Sequence, residues 1–128
     1  GQRFEDYVRK FLFVNNYYDI LERTPAYETP KDYVQSSLKP DFKFRDRWNK
    51  KEFYVEVKFR TGLYNNKIVW CNDKQLARYL DYNKQTPVFI LLGMGDNPTY
   101  PEFLTLIPLT LCLCLASFIL SDWVPSNM

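Results

Sequence analysis

Histidine is absent from the 128 residues of this chain, and that gap removes several chemistries at once. Without an imidazole there is no Ser-His or Cys-His triad, no zincin helix, no histidine-centred nuclease site and none of the usual His-containing zinc sites. Cysteine is nearly as scarce: three thiols, two of them as Cys112-x-Cys114, cannot complete a structural zinc site alone and give no disulfide framework. The expectation is a reducing, cytoplasmic setting. No signal peptide is legible at the amino end, and Gly1 in place of an initiator methionine suggests a trimmed piece of a longer protein. Basic residues are missing from the whole of residues 85–128, where Asp96, Glu102 and Asp122 are the only charges. Gly93-x-Gly95 lacks the further glycine and the lysine of a phosphate loop.

What remains for acid–base work is carboxylate, lysine, tyrosine or metal-bound water. Pro40-Asp41 and, fifteen residues after that aspartate, Glu56-Val57-Lys58 concentrate these groups. The stretches Pro40–Arg47 and Glu52–Phe59 alternate like strands around Trp48-Asn49-Lys50-Lys51, which predicts a hairpin in which facing residue numbers sum to 97. Asp41 then faces Glu56, Lys43 faces Tyr54 and Arg45 faces Glu52. On the other side Phe42 and Phe44 meet Val55 and Phe53, with Val57 and Phe59 extending the apolar row. A slip of one residue would put Asp41 on the wrong side. Opposed carboxylates on an antiparallel pair, with Cβ atoms about 4.5–5.5 Å apart, repel and want a counter-charge. Lys58, two residues from Glu56 and on its face, provides one. A Mg²⁺ or Mn²⁺ ion held by one or two carboxylates, waters and a substrate phosphate would provide more. The plain alternative is a surface hairpin carrying ordinary salt bridges.

All seventeen Lys and Arg lie within residues 1–84, and residues 39–84 carry twelve basic against six acidic side chains, several interleaved with aromatics. Such a face suits a polyanion. Lys50 and Lys51 also fit the simpler role of solvating a hairpin tip.

Along the chain, Gln2–Val14 reads as a first helix with Phe4, Tyr7, Val8, Phe11 and Leu12 as its buried stripe. Glu5 lies at the edge of that stripe, aimed between helix and sheet or else paired with Arg9 one turn on. Tyr17–Arg23 reads as a strand, and Thr24–Lys39 as a loop with a helical turn near Tyr33-Val34. Turns at Thr61-Gly62 and Asn65-Asn66 precede a short extended piece at Lys67–Cys71. A second helix runs from Asn72-Asp73-Lys74-Gln75 to about Gln85, with Asn72 and Gln75 at capping-box spacing. Val88–Leu92 reads as a strand buried on both faces, and Glu102–Ile107 as an edge strand.

These residues resemble the PD-(D/E)xK nuclease superfamily, the restriction-endonuclease-like and Holliday-junction-resolvase-like fold. Gly1-Gln2-Arg3-Phe4-Glu5 is similar to the G-x-x-F-E start of the first helix in resolvase-like members. Gln75-Leu76-Ala77-Arg78-Tyr79 is similar to the Q-x-x-x-Y helix motif, and Asp41 with Glu56-x-Lys58 to the core motif. The resemblance spans about residues 1–108. It implies an α/β domain with an α-β-β-β-α-β core, a central mixed sheet flanked by helices. It further implies a metal-dependent nuclease acting on DNA and leaving a free 5′-phosphate. Asp41, Glu56, Lys58 and Gln75 would then be catalytic. Glu5, Asp41, Glu56 and the carbonyl of Val57 would hold Mg²⁺ or Mn²⁺, and Lys43, Arg45, Arg60, Lys74 and Arg78 would contact the nucleic acid. Tyr79 fits packing better than catalysis. Because fold does not fix function, a nucleic-acid-binding or oligomerising module without catalysis is the alternative; the intact Asp-Glu-Lys set weighs against it.

One domain is expected over residues 1–128, with an apolar extension at 109–128. Phe103 to Leu120 carries no charge and approaches the length of a membrane span. Pro108, three hydroxyl residues and the lack of a basic flank argue against a span. A strand followed by a helix packed on the core, or on a second copy in a homo-oligomer, accounts for it better. The alternation of Leu109, Leu111, Leu113 and Leu115 leaves a strand open there as well.

Overall fold

The computed structural model describes residues 2–25, 39–62, 67–68, 73–114 and 118–119. Two alternating stretches dominate the interior. Strand β2 (Phe42–Asp46) and strand β3 (Glu52–Arg60) pair antiparallel with Phe42 opposite Val55, Lys43 opposite Tyr54, Phe44 opposite Phe53 and Arg45 opposite Glu52. Facing numbers sum to 97, as the alternation requires. Strand β1 (Tyr18–Arg23) lies antiparallel outside β2, with a register shift between Ile20 and Glu22. On the other flank β3 runs parallel to β5 (Val88–Met94), which pairs antiparallel with β6 (Phe103–Pro108) at the edge. The five-stranded order is β1-β2-β3-β5-β6. A separate two-stranded ladder joins β4 (Lys67–Ile68) to β7 (Phe118–Ile119).

Each face of the sheet has its own core because side chains alternate. On one face Phe42, Phe44, Val55, Val57 and Leu91 are buried under Phe4, Val8 and Phe13 of the amino-terminal helix. That layer is largely aromatic: Phe13 stacks on Phe44 at 4.7 Å between centroids, and Phe42 on Phe44 at 4.9 Å. On the opposite face Ile90, Leu92 and Met94 pack against Tyr79 of helix α2 (Asp73–Asn83) and against Leu109. The lone apolar stripe of α2 explains why it lies flat on the sheet, while its outer side carries Lys74, Arg78 and Asp81.

The first helix differs from the expected Gln2–Val14. It is α-helical over α1 (Gln2–Tyr7) and then widens to a π turn at Val8–Leu12, closed by the Phe13 N–H donating to Val8 O at 2.9 Å. That i→i+5 step advances the buried row by one residue. Phe13 therefore enters the core and Phe11 is left 58% exposed, reversing the stripe read from 3.6-residue spacing. Arg9 secures the widened turn, donating to the carbonyls of Phe13 and Tyr18 at 2.9 and 3.0 Å, so it is not the partner of Glu5.

The second helix ends at Asn83, and the strand at Val88 continues through Gly93 to Met94. Beyond β6 the chain forms helix α3 (Leu109–Cys114), not the alternating strand; Leu109 is fully buried and Leu111 half exposed. Residues 26–38 of the expected Thr24–Lys39 loop, the Asn65-Asn66 turn and the Asn72 cap lie outside the described residues, as do 63–64, 69–71, 115–117 and 120–128. Among the described residues no helix is long and apolar enough to cross a membrane.

Candidate active site

At the mouth of the hairpin, where the β2–β3 ladder ends, Asp41 substitutes its side chain for backbone. Its Oδ2 accepts the Val57 N–H at 2.7 Å, while its own carbonyl accepts the Thr24 N–H at 2.9 Å. Thr24 Oγ1 also donates to Pro40 O at 2.7 Å. These bonds tie Pro40-Asp41 to both neighbouring strands and fix the carboxylate beside β3. N–H and C=O of one strand residue point to the same side of the strand, so the Val57 carbonyl is directed toward Asp41 too.

Glu56 occupies the same face, 4% exposed and the one buried charged residue among those described. Its Oε2 accepts the Tyr79 hydroxyl at 2.5 Å and lies 3.4 Å from Lys58 Nζ. Its Oε1 is buried without a fixed donor. The neighbouring Asp41 carboxyl has its pKa pushed up to about 9, first by burial, then by a hydrogen bond and repulsion from Glu56, with Glu5 adding to the repulsion. The Val57 N–H pulls the other way. A proton retained on Asp41 is thus available to Glu56 where no N–H is.

Glu5, half-buried on α1, feels the same field: burial raises its pKa, Arg23 lowers it, and Glu56 raises it. Arg23 Nε stands 3.8 Å from Glu5 Oε1 while its Nη2 binds Asp6 at 2.8 Å. Glu5 is therefore held at the rim, by a cation that sequence reasoning did not single out. Arg60, one step beyond Lys58 on the Glu56 face, is half-buried, and burial lowers its pKa against the pull of Glu56. Gln75 lies in the first turn of α2, one turn before Tyr79.

The remaining basic residues are spread over the surface. Lys43 Nζ is 3.5 Å from Glu52 and 5.3 Å from the Tyr54 ring centre, Arg45 binds Asp19 at 3.2 Å, and Arg78 lies over Tyr82 and 3.6 Å from Asp81. Lys74 is exposed. Beside Asp41 a groove of about 520 Å³ runs between Lys39, Pro40, Lys43, Tyr54 and Tyr82.

Tyr79 is a neighbour of Glu56 that sequence reasoning read as packing alone. It is both core and hydrogen-bond partner, and the signal for the second role was available: a buried phenol needs an acceptor. Among the described residues no three His, Cys, Asp or Glu side chains gather closely enough to hold an ion by themselves. A divalent ion such as Mg²⁺ asks for less, one or two carboxylates with waters and phosphate filling the shell. Asp41, the Oε1 of Glu56 and the Val57 carbonyl are the hard oxygens here that could meet such a need.

No protein-family model and no curated protein matches this chain. Among solved structures it is similar to Hjc, a Holliday junction resolvase from the archaeal hyperthermophile Archaeoglobus fulgidus. The match covers 86% of this chain and 78% of that one, with a TM-score of 0.57 and 15% identity. The fold is restriction-endonuclease-like. This is the architecture implied by the PD-(D/E)xK resemblance: helix, three strands, helix and strand around a mixed sheet. At that identity the likeness establishes the fold and leaves the chemistry to the residues.

Proposed function

We propose that this chain is a metal-dependent nuclease that hydrolyses phosphodiester bonds in DNA. The observation that carries the reading is the meeting of Asp41, just ahead of β2, with Glu56 of β3, and Lys58 Nζ 3.4 Å from Glu56. The likeness to a Holliday junction resolvase supports DNA as the substrate.

Asp41 and Glu56 would hold Mg²⁺ or Mn²⁺, with the Val57 carbonyl beside them and Glu5 at the rim. When bound, the ion supplies an acidified water and positive charge for the phosphorane-like transition state. Lys58 orients the attacking water or neutralises the scissile phosphate, and its contact with Glu56 keeps the ammonium on the reacting side. Tyr79 positions Glu56 by occupying Oε2, which leaves Oε1 as the free ligand atom. Gln75 turns its amide toward the same phosphate or water. Lys43, Arg45, Arg60, Lys74 and Arg78 contact the sugar–phosphate backbone, a sequence-independent role that strengthens binding at low salt.

The test incubates supercoiled, linear, branched and single-stranded DNA with the protein, with and without Mg²⁺ or Mn²⁺. Cleavage that needs the metal is the expected result, and Lys58→Ala should slow it by about 10²–10³, the loss typical of one transition-state donor. Equal cleavage by the parent and Lys58→Ala, or none with either metal on any substrate, would refute the reading.

A further inference from the structure

The turn between β2 and β3 is closed by a dense set of hydrogen bonds, yet what it displays is a tryptophan in water. Asp46 Oδ1 accepts the N–H groups of Trp48 and Asn49 at 2.8 and 3.3 Å, and Asn49 Oδ1 accepts that of Lys51 at 2.9 Å. The backbones of Asp46 and Lys50, and of Asp46 and Lys51, are joined at 2.9 Å each. Lys50 takes φ +64°, the left-handed conformation unusual for a lysine. All this order holds the Trp48 ring 90% exposed, with Tyr17 nearby 66% exposed.

A rigid aromatic ring with open faces is a low-entropy anchor for a flat partner. The charge around it selects that partner. Lys50 and Lys51 are exposed, and among the described residues neither takes part in an ion pair; Arg47 is exposed and 3.6 Å from Asp19. Lys43 and Arg45 share one face of β2, Asp41 stands just before that strand, and Arg47 follows it toward the tip. The carboxylates and the tip are thus about 20 Å apart along the hairpin, the length of about six stacked base steps.

We infer that Trp48 is a stacking platform for unpaired bases, so that the chain prefers nucleic acid with exposed base faces to continuous duplex. This rests on nucleic acid being the substrate, and it names the substrate class: single strands and branch points. In continuous duplex the bases cover one another and offer the indole nothing, whereas every unpaired base presents a π-face.

The test measures binding by anisotropy of labelled oligo-dT, a four-way junction and a long continuous duplex, all with Lys58→Ala and no divalent metal so that nothing is cut. Adding Trp48→Ala should weaken oligo-dT and junction binding about 10-fold, the factor that one base–aromatic stack contributes. It should leave duplex binding unchanged, and Trp48→Phe should restore most of the loss. In a Trp70→Phe, Trp123→Phe background, Trp48 emission should be quenched by oligo-dT and not by duplex. Equal binding by Trp48→Ala, equal quenching by duplex, or an emission shift that depends on protein concentration without DNA (a second copy on the ring) would each overturn the inference. Tryptophan-dependent binding without metal-dependent cleavage would sink the nuclease reading and spare this one; cleavage indifferent to Trp48 would do the reverse.

Discussion

Replacing Asp41 by asparagine should flatten the dependence of folding stability on pH between 6 and 8. In the folded, metal-free protein Asp41 keeps its proton up to about pH 9, whereas in the unfolded chain it loses it near the ordinary value of 3.8. Between those limits the native state binds one proton more than the unfolded state, so stability falls as pH rises, by about 1.4 kcal/mol per pH unit. The stabilisation from the retained proton is complete below the unfolded pKa and is lost as pH climbs through about 9. With no histidine in the chain, no imidazole blurs that window. The charges facing the site are Glu56, Glu5, Lys58 and Arg60; Glu5, also raised by burial, has the same sign of effect. Urea titrations at half-unit pH steps are the assay, and at about 1–3 kcal/mol per molar the parent midpoint should move by about 0.5–1.4 M per pH unit. In the Asp41→Asn variant the amide oxygen can still accept the Val57 N–H, so a changed slope reports charge and not a lost strand contact. Excess Mg²⁺ should reverse the parent trend, stabilising more at pH 8 than at pH 6, because both carboxylates must ionise to bind it. Parallel curves for parent and Asp41→Asn would show that no proton is held there.

Two further substitutions probe the supports of the site. Tyr79→Phe removes the only described hydroxyl donor to Glu56 Oε2 and leaves that buried oxygen with Lys58 at 3.4 Å as its described partner, which should cost about 1–3 kcal/mol in chemical denaturation and lower cleavage while substrate affinity holds; an unchanged kcat would deny it a positioning role. Gly93→Ala would bring a Cβ to 2.4 Å from the Phe4 ring, so overpacking should cost about 1–3 kcal/mol, and Phe4→Leu should relieve part of it. Strict additivity of the two would show that the ring does not press on that backbone.

The hairpin was legible because two independent alternations, Phe42-x-Phe44 and Phe53-x-Val55-x-Val57, agree on one register. A central β5 was legible from an unbroken apolar run. The π turn was not: nothing in Val8–Leu12 marks the inserted residue, and the outcome depends on which phenylalanine the layer over Phe44 can accept. Geometry around Glu56 was half legible, since spacing put Lys58 on its face but could not show that a phenol from another element would bind it. Arg23 as the partner of Glu5 depends on how β1 and α1 meet, which periodicity does not encode. The apolar tail carried two incompatible patterns, and the helical one holds at Leu109–Cys114.

The widened turn in the first helix uncouples two orientations that an ordinary helix would lock together. Each α-helical residue rotates the next by about 100°. Delete one residue between Val8 and Leu12 and the helix must choose: keep Glu5 turned to the carboxylates and lose Phe13 from its stack, or keep the stack and swing Glu5 away. Length in this segment is therefore as constrained as residue identity.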